Sequence, residues 1–136
     1  MSDARVLYHA TIVDHDRNPR HESALPAATH SATADNPLCG DVVTMHFKLS
    51  EDVIVDASFE ARGCALSRAA ADLLATRAIG ATPASLRSLA AAFDRFVAGA
   101  SEPDLGELSV FEGVRAFKSR RACACLVFAA ARAALI

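Results

Sequence analysis

Four residues of this chain have types and neighbours that could do chemistry: Cys39, Asp41, Cys64 and Cys123. Cys39 lies in NPLCGD, after a proline, before a glycine and two residues ahead of Asp41. Packing a small residue needs no such neighbours. A thiol held on a turn beside a carboxylate suits a metal ligand or a nucleophile, and Gly40 permits close backbone approach. Cys64 follows Gly63 and opens a helical pattern, where unpaired N–H groups and the helix dipole favour a thiolate. Cys123 follows Arg120 and Arg121, whose charges act in the same direction. Three thiols and one carboxylate suit tetrahedral zinc, with Zn–S about 2.3 Å and Zn–O roughly 2.0–2.2 Å. Other readings stay open. Each cysteine could be a small buried residue, since free cysteine is among the most buried types. Asp41 could cap a turn. Cys123 and Cys125 sit two apart on a predicted helix, about 200° around its axis, so one ion should not take both.

The elements that must position these residues follow from pattern. DVVTMHFKLS alternates Val43, Met45, Phe47 and Leu49 against Thr44, His46 and Lys48, the signature of a half-buried strand. Ser50, Glu51 and Asp52 make a turn, and VIVDASFEA continues as a second strand. A hairpin over residues 41–61 sets Asp41 beside the segment Arg62–Gly63–Cys64. Before it, residues 20–37 read as a loop with an edge strand near Thr29 to Thr33. DARVLYHATIVDHDR reads as a helix with Asp3 as N-cap and Val6, Leu7, Ala10 and Val13 on one face. Asn18-Pro19 ends it. After Cys64, Leu66, Ala69, Ala70, Leu73 and Leu74 form a helical face ending at Gly80. Thr82-Pro83 opens another helix, closed by Gly99. Residues 100–109 read as an acidic loop, with a short helix at 107–112. The last helix runs from about Arg120 to Ile136.

Composition bounds the function. The 136 residues suit one domain, residues 1–136, and 52% hydrophobic content supports a core. Much of that content is alanine, which predicts closely spaced helices. The net charge is −2 with the signs interleaved, and no basic stripe suggests a nucleic-acid partner. No apolar run approaches the roughly 20 residues that cross a bilayer. MSDARVLYHA lacks the apolar stretch of a secretory signal. The expected setting is cytoplasmic, where four cysteines point to metal or thiol chemistry rather than disulfides.

NPLCGD, FEARGCALSRAAADLL and LGELSVFEGVRAFKSRRACACL occur in that order, and LYHATIVDHDRNPR contains a DHxxNPR signature. Together they resemble the NifU N-terminal, IscU and SufU family of iron–sulfur cluster assembly proteins, over about residues 7 to 135. CGD and GC-x-x-S are specific in combination. The long connection from Cys64 to Cys123, and Ala122 where IscU-type chains carry histidine, are similar to the SufU branch. The resemblance implies an α+β fold: a small antiparallel three-stranded sheet, made of the hairpin and the edge strand, against four to five helices. It implies zinc held by Cys39, Asp41, Cys64 and Cys123, with Cys39 as persulfide acceptor and Arg120 as a thiolate stabiliser. The motif register selects Cys123 over Cys125, leaving Cys125 as a packing residue or a spare sulfur relay. The implied partners are a SufS-type cysteine desulfurase, carrying its own pyridoxal phosphate, and a downstream iron–sulfur scaffold. SufU-like chains usually carry lysine at the place of Ala122 and threonine or serine at that of Cys125.

Two alternatives accompany this reading. An IscU/NifU-type scaffold would assemble a [2Fe–2S] cluster on the same ligands, since thiolates suit both metals. A structural zinc adaptor would bind metal without sulfur transfer. A thiol hydrolase is disfavoured, because no histidine lies in the cysteine motifs to act as base. His9, His15 and His21 are not spaced for one helical face. His15 is expected to cap or pack a loop, His46 to be solvated, and Tyr8 to meet a partner or be partly buried.

Overall fold

The computed structural model describes residues 9–135. In chain order they form α1 (Ala10–Arg17), β1 (His30–Asn36), β2 (Asp41–Ser50), β3 (Val53–Arg62), α2 (Ala65–Ala78), α3 (Pro83–Val97), a 3-10 helical segment (Pro103–Ala116) and α4 (Lys118–Ala134). The strands make one antiparallel sheet in the order β1-β2-β3. With five helical elements, this is the α+β architecture expected. Among the described residues no helix is long and apolar enough to cross a membrane.

The sheet follows the alternation of its central strand. Val43, Met45 and Phe47 are fully buried, while Thr44, His46 and Lys48 occupy the opposite row. Leu49 is only partly buried, because the register with β3 shifts between Lys48 and Leu49, a bulge that turns the side chain aside. The edge strand runs on to Asn36, beyond the expected segment. Its inward row holds only Ala32 and Ala34 against the core. Helix α4 lies across β1 and β2, and α2 lies against β3. The free edge of β3 is covered by the chain near His21: Phe59 N–H donates to His21 O, and Ser23 N–H to Phe59 O, both at 3.0 Å.

Helix α2 is buried on nearly every side, not on one face as expected, because it packs against α1, the sheet and α4 together. Two polar residues, Ser67 and Asp72, are fully buried on it, so each must find partners within the protein. Asp72 settles the orientation of α1. Its Oδ2 lies 2.5 Å from His15 Nδ1, and its Oδ1 accepts the N–H groups of Arg20 and His21 at 2.8 and 2.9 Å. The buried residues of α1 are therefore Ile12 and His15, not Ala10 and Val13. Asp3, Val6, Leu7 and Tyr8 lie outside the described residues; α1 starts after His9, whose Nδ1 accepts the Thr11 N–H at 3.1 Å. Arg20 reaches back to Asp14 at 2.7 Å, so the DHxxNPR signature is a structural knot.

Helix α3 starts as predicted, with Thr82 and Ser85 in a reciprocal capping box and Pro83 in the first turn. Phe93 from α3 stacks on Phe128 at 4.4 Å between ring centres and meets Phe111 edge-on at 5.8 Å. The short helix expected at 107–112 is present but longer: a 3-10 helix kinked at Gly106 runs over Pro103–Ala116 and takes in most of the segment read as an acidic loop. Leu105, Leu108, Phe111 and Val114 recur every third residue and are all buried, the period of a helix with about 3.0 residues per turn.

Candidate metal centre

Two loops, the start of β2 and one helix meet at one end of the sheet. The turn between β1 and β2 is closed by Asn36, whose carbonyl accepts the N–H groups of Gly40 at 2.8 Å and Cys39 at 3.3 Å. Gly40 has φ +76°, a left-handed conformation that glycine adopts freely. This turn presents Cys39 to solvent next to Leu38, which is 96% exposed. Asp41 opens β2 and is only 2% exposed. Val42 pairs with Arg62, so the end of β3 delivers Gly63 and Cys64 beside Asp41, as the hairpin predicted. Cys123 is buried and arrives on α4, which packs against β1 and β2. The sequence did not indicate that Cys39 itself occupies a second hairpin turn.

Cys39 Sγ stands 3.6 Å from Cys123 Sγ. Two thiolates at roughly 2.3 Å from a tetrahedral ion lie about 3.8 Å apart, so this pair is spaced for a shared metal. Cys39, Asp41 and Cys123 each offer a ligand atom, all within 4.8 Å of one another. Cys64 is not in that set; its Sγ lies 3.5 Å from Asp41 Oδ2 and 3.8 Å from Ser67 Oγ. Arg120 is half-buried in the first turn of α4. Among the described residues, no hydrogen bond or ion pair joins its guanidinium to the four. Cys125 belongs to another surface, with Asp94, Lys118 and Arg121.

The electrostatics fit a cation. Burial opposes the charge of Asp41, but hydrogen bonds from Ser67, from the thiols of Cys123 and Cys39 and from the Cys64 N–H outweigh it, holding the carboxyl below the usual carboxylate range. Burial first, then the Asp41 carboxylate and Cys64, push the Cys123 thiol well above the usual thiol range. A thiol kept neutral among a carboxylate and other thiols loses its proton when a metal supplies the positive charge. Cys125 is likewise pushed up to about 12, by burial and then Asp94.

Two residues of the centre were not assigned a role from sequence. Ser67, within GC-x-x-S, sits 2.6 Å from Asp41 Oδ2 and 3.2 Å from the Cys123 carbonyl. Gly63 leaves the space that Asp41 occupies: a Cβ there would lie 2.3 Å from Asp41 Oδ1. The GC-x-x-S spacing was the available signal for both. The histidines stay outside the centre. His15 packs the N-terminal segment onto Asp72, whereas His46 is held between strands by Ser31 and Glu60, each at 2.7 Å, rather than solvated.

A family model described as NifU-like N terminal domain matches residues 7–124. The iron–sulfur cluster assembly scaffold protein IscU of Streptococcus pyogenes serotype M1 is 32% identical, covering 99% of this chain and 86% of that protein. The zinc-dependent sulfurtransferase SufU of Bacillus subtilis (strain 168) is 34% identical, covering 88% of this chain and 83% of that protein. The crystal structure of a nitrogen-fixing NifU-like protein (N-terminal) from Brucella abortus superposes with a TM-score of 0.89 at 30% identity, covering 98% of this chain and 95% of that one.

Proposed function

The chain belongs to the NifU-like N-terminal domain family, the IscU/SufU group of iron–sulfur cluster assembly proteins, and from that premise we propose that it is a SufU-like sulfur acceptor. It takes persulfide sulfur from a SufS-type cysteine desulfurase and passes it to a downstream iron–sulfur scaffold, in a cytosol that keeps its thiols reduced. One observation carries the reading: an exposed Cys39 on a turn, 3.6 Å from a buried Cys123 that shares its cluster with Asp41. Zinc bound by Cys39, Asp41, Cys64 and Cys123 would keep the thiols deprotonated and shielded from oxidation.

The chain's own residues divide the work. Asp41 and Cys123 are buried and Cys64 is half-buried, so these three hold position. Cys39 is the thiol that an incoming protein can reach. Its thiolate attacks the terminal sulfur of the desulfurase persulfide. The donor S–S bond breaks, the donor cysteine leaves as a thiolate, and a new S–S bond forms on Cys39. No external oxidant or reductant is required. Arg120, one helical turn ahead of Cys123, is assigned the stabilisation of the thiolate form.

A second reading is favoured by the relatives named as scaffolds, the Streptococcus pyogenes protein among them: the same donors would assemble a [2Fe–2S] cluster. Metal content and visible absorption of protein purified without oxygen separate the two. One zinc per chain without charge-transfer bands supports the sulfur acceptor; a cluster that transfers to an apo-protein supports the scaffold. The direct test is an alkylation-protected persulfide assay with a SufS-type desulfurase. Wild type should stimulate sulfur release and carry label on Cys39. If Cys39→Ala stimulates equally, sulfur transfer through Cys39 is wrong.

A further inference from the structure

Ser67 is the third residue of α2 and is fully buried. A hydroxyl at the start of a helix commonly bonds the backbone of its own first turn. Ser67 instead looks outward, 2.6 Å from Asp41 Oδ2 and 3.2 Å from the Cys123 carbonyl. A serine hydroxyl has one proton, and the shorter contact, to a charged carboxylate, is the stronger claim on it. The other carboxylate oxygen, Oδ1, accepts the Cys64 N–H at 3.1 Å. Two donors from the start of α2 therefore fix the plane of the Asp41 carboxylate. Each carboxylate oxygen has two lone-pair sites, and the one that Ser67 leaves on Oδ2 accepts the Cys64 thiol, 3.5 Å away, a place open to a cation once metal binding removes that thiol proton.

We propose that Ser67 is the positioning residue of the metal centre: its hydroxyl aims Asp41 Oδ2 at the cysteine sulfurs, and the Cys123 carbonyl is its second acceptor. This rests on the zinc-site reading above. The same serine thus touches two of the four ligand residues from the helix that begins at the third. A merely structural Ser67 would tie α2 to α4 and have no effect specific to Asp41.

The test compares wild type, Ser67→Ala, Ser67→Thr, Asp41→Ala and the Asp41→Ala/Ser67→Ala double variant. Zinc affinity is read by competition with a chromophoric chelator, and ligand geometry by the visible spectrum of the cobalt(II)-loaded proteins. Ser67→Ala should weaken zinc binding about 10-fold, within the range for groups that orient metal ligands, and shift the cobalt bands. Ser67→Thr, which keeps the donor, should match wild type. Removing Ser67 in the Asp41→Ala background should cost nothing further. Wild-type affinity and spectrum in Ser67→Ala would overturn the proposal, as would a full additional loss in the double variant. Should Ser67→Ala fail to fold, a folded Ser67→Thr with weakened binding overturns it and wild-type binding supports it. Wild-type protein that holds neither zinc nor cobalt overturns the metal-site reading itself, and this inference with it.

Discussion

Gly63 and Asp41 are built against each other: a Cβ on Gly63 would stand 2.3 Å from Asp41 Oδ1 and 2.6 Å from its Cγ. Gly63 also has φ +152°, which side chains rarely adopt. Gly63→Ala must therefore displace the carboxylate, the backbone or both. We expect a loss of about 1–3 kcal/mol in metal-free stability from backbone strain and a loss of at least about 10-fold in zinc affinity. Gly99 has φ +116° but open space around it, so Gly99→Ala should lower stability and leave zinc affinity unchanged. Urea unfolding and chelator competition check both.

Asp72 joins the N-terminal segment to the helix that follows Cys64. Replacing it with alanine leaves the Arg20 and His21 N–H groups and the His15 ring without their acceptor. The expected loss is about 3 kcal/mol, the scale of an unsatisfied buried polar cluster. Amide exchange should quicken between residues 15 and 23 before it does in β2. Unchanged exchange there would show that Asp72 does not anchor the segment.

Stability should fall in acid through Arg68. Its guanidinium bonds Glu22 at 2.6 and 2.8 Å, Asp16 at 3.0 Å and the Ala61 carbonyl at 2.9 Å. The hydrogen bond from Arg68 holds Glu22 below its ordinary value of 4.5. A carboxyl with a lowered folded-state pKa stabilises the fold above its unfolded value and loses that contribution as pH falls through the folded one. The metal-free protein should therefore lose stability below pH 4.5. Arg68→Met should make that decline shallower without abolishing it, since Asp41 shifts in the same direction. Urea midpoints across pH give the comparison, and equal slopes would contradict it.

Cys125 should be dispensable for metal. It faces Asp94, Lys118 and Arg121, away from the cluster that Cys123 joins. Cys125→Ala should keep zinc stoichiometry and affinity, whereas Cys123→Ala should lose them. A Cys125→Ala protein unable to bind zinc would reverse the assignment.

Much of this arrangement was legible in the sequence, for identifiable reasons. The β2–β3 hairpin was readable because large apolar residues alternate cleanly in β2, and that pairing alone sets Asp41 beside Cys64. β1 was readable only in part, because Ala32 and Ala34 carry its inward row and alanine gives little contrast against serine and threonine. The 3-10 segment was readable only at 107–112; its acidic start was hidden by its charges, although Leu105, Leu108, Phe111 and Val114 kept a period of three. The face of α1 was misread because a buried Asp72 far along the chain, not local apolar spacing, determines which residues turn inward. Of the four ligand candidates Cys39, Asp41 and Cys123 lie together, while Cys64 stands against Asp41 outside the tight set. Ser67 was marked only by its place in GC-x-x-S, a spacing that does not say its hydroxyl meets Asp41.

The central claim is that Cys39, Asp41, Cys64 and Cys123 share one ion, and zinc K-edge X-ray absorption of the purified protein tests it most directly. The predicted result is one zinc per chain with three sulfurs at about 2.3 Å and one oxygen at roughly 2.0–2.2 Å, the oxygen shell changing in Asp41→Ala while the sulfurs remain. A shell with two sulfurs or fewer, or one unaltered by Asp41→Ala, would contradict the account.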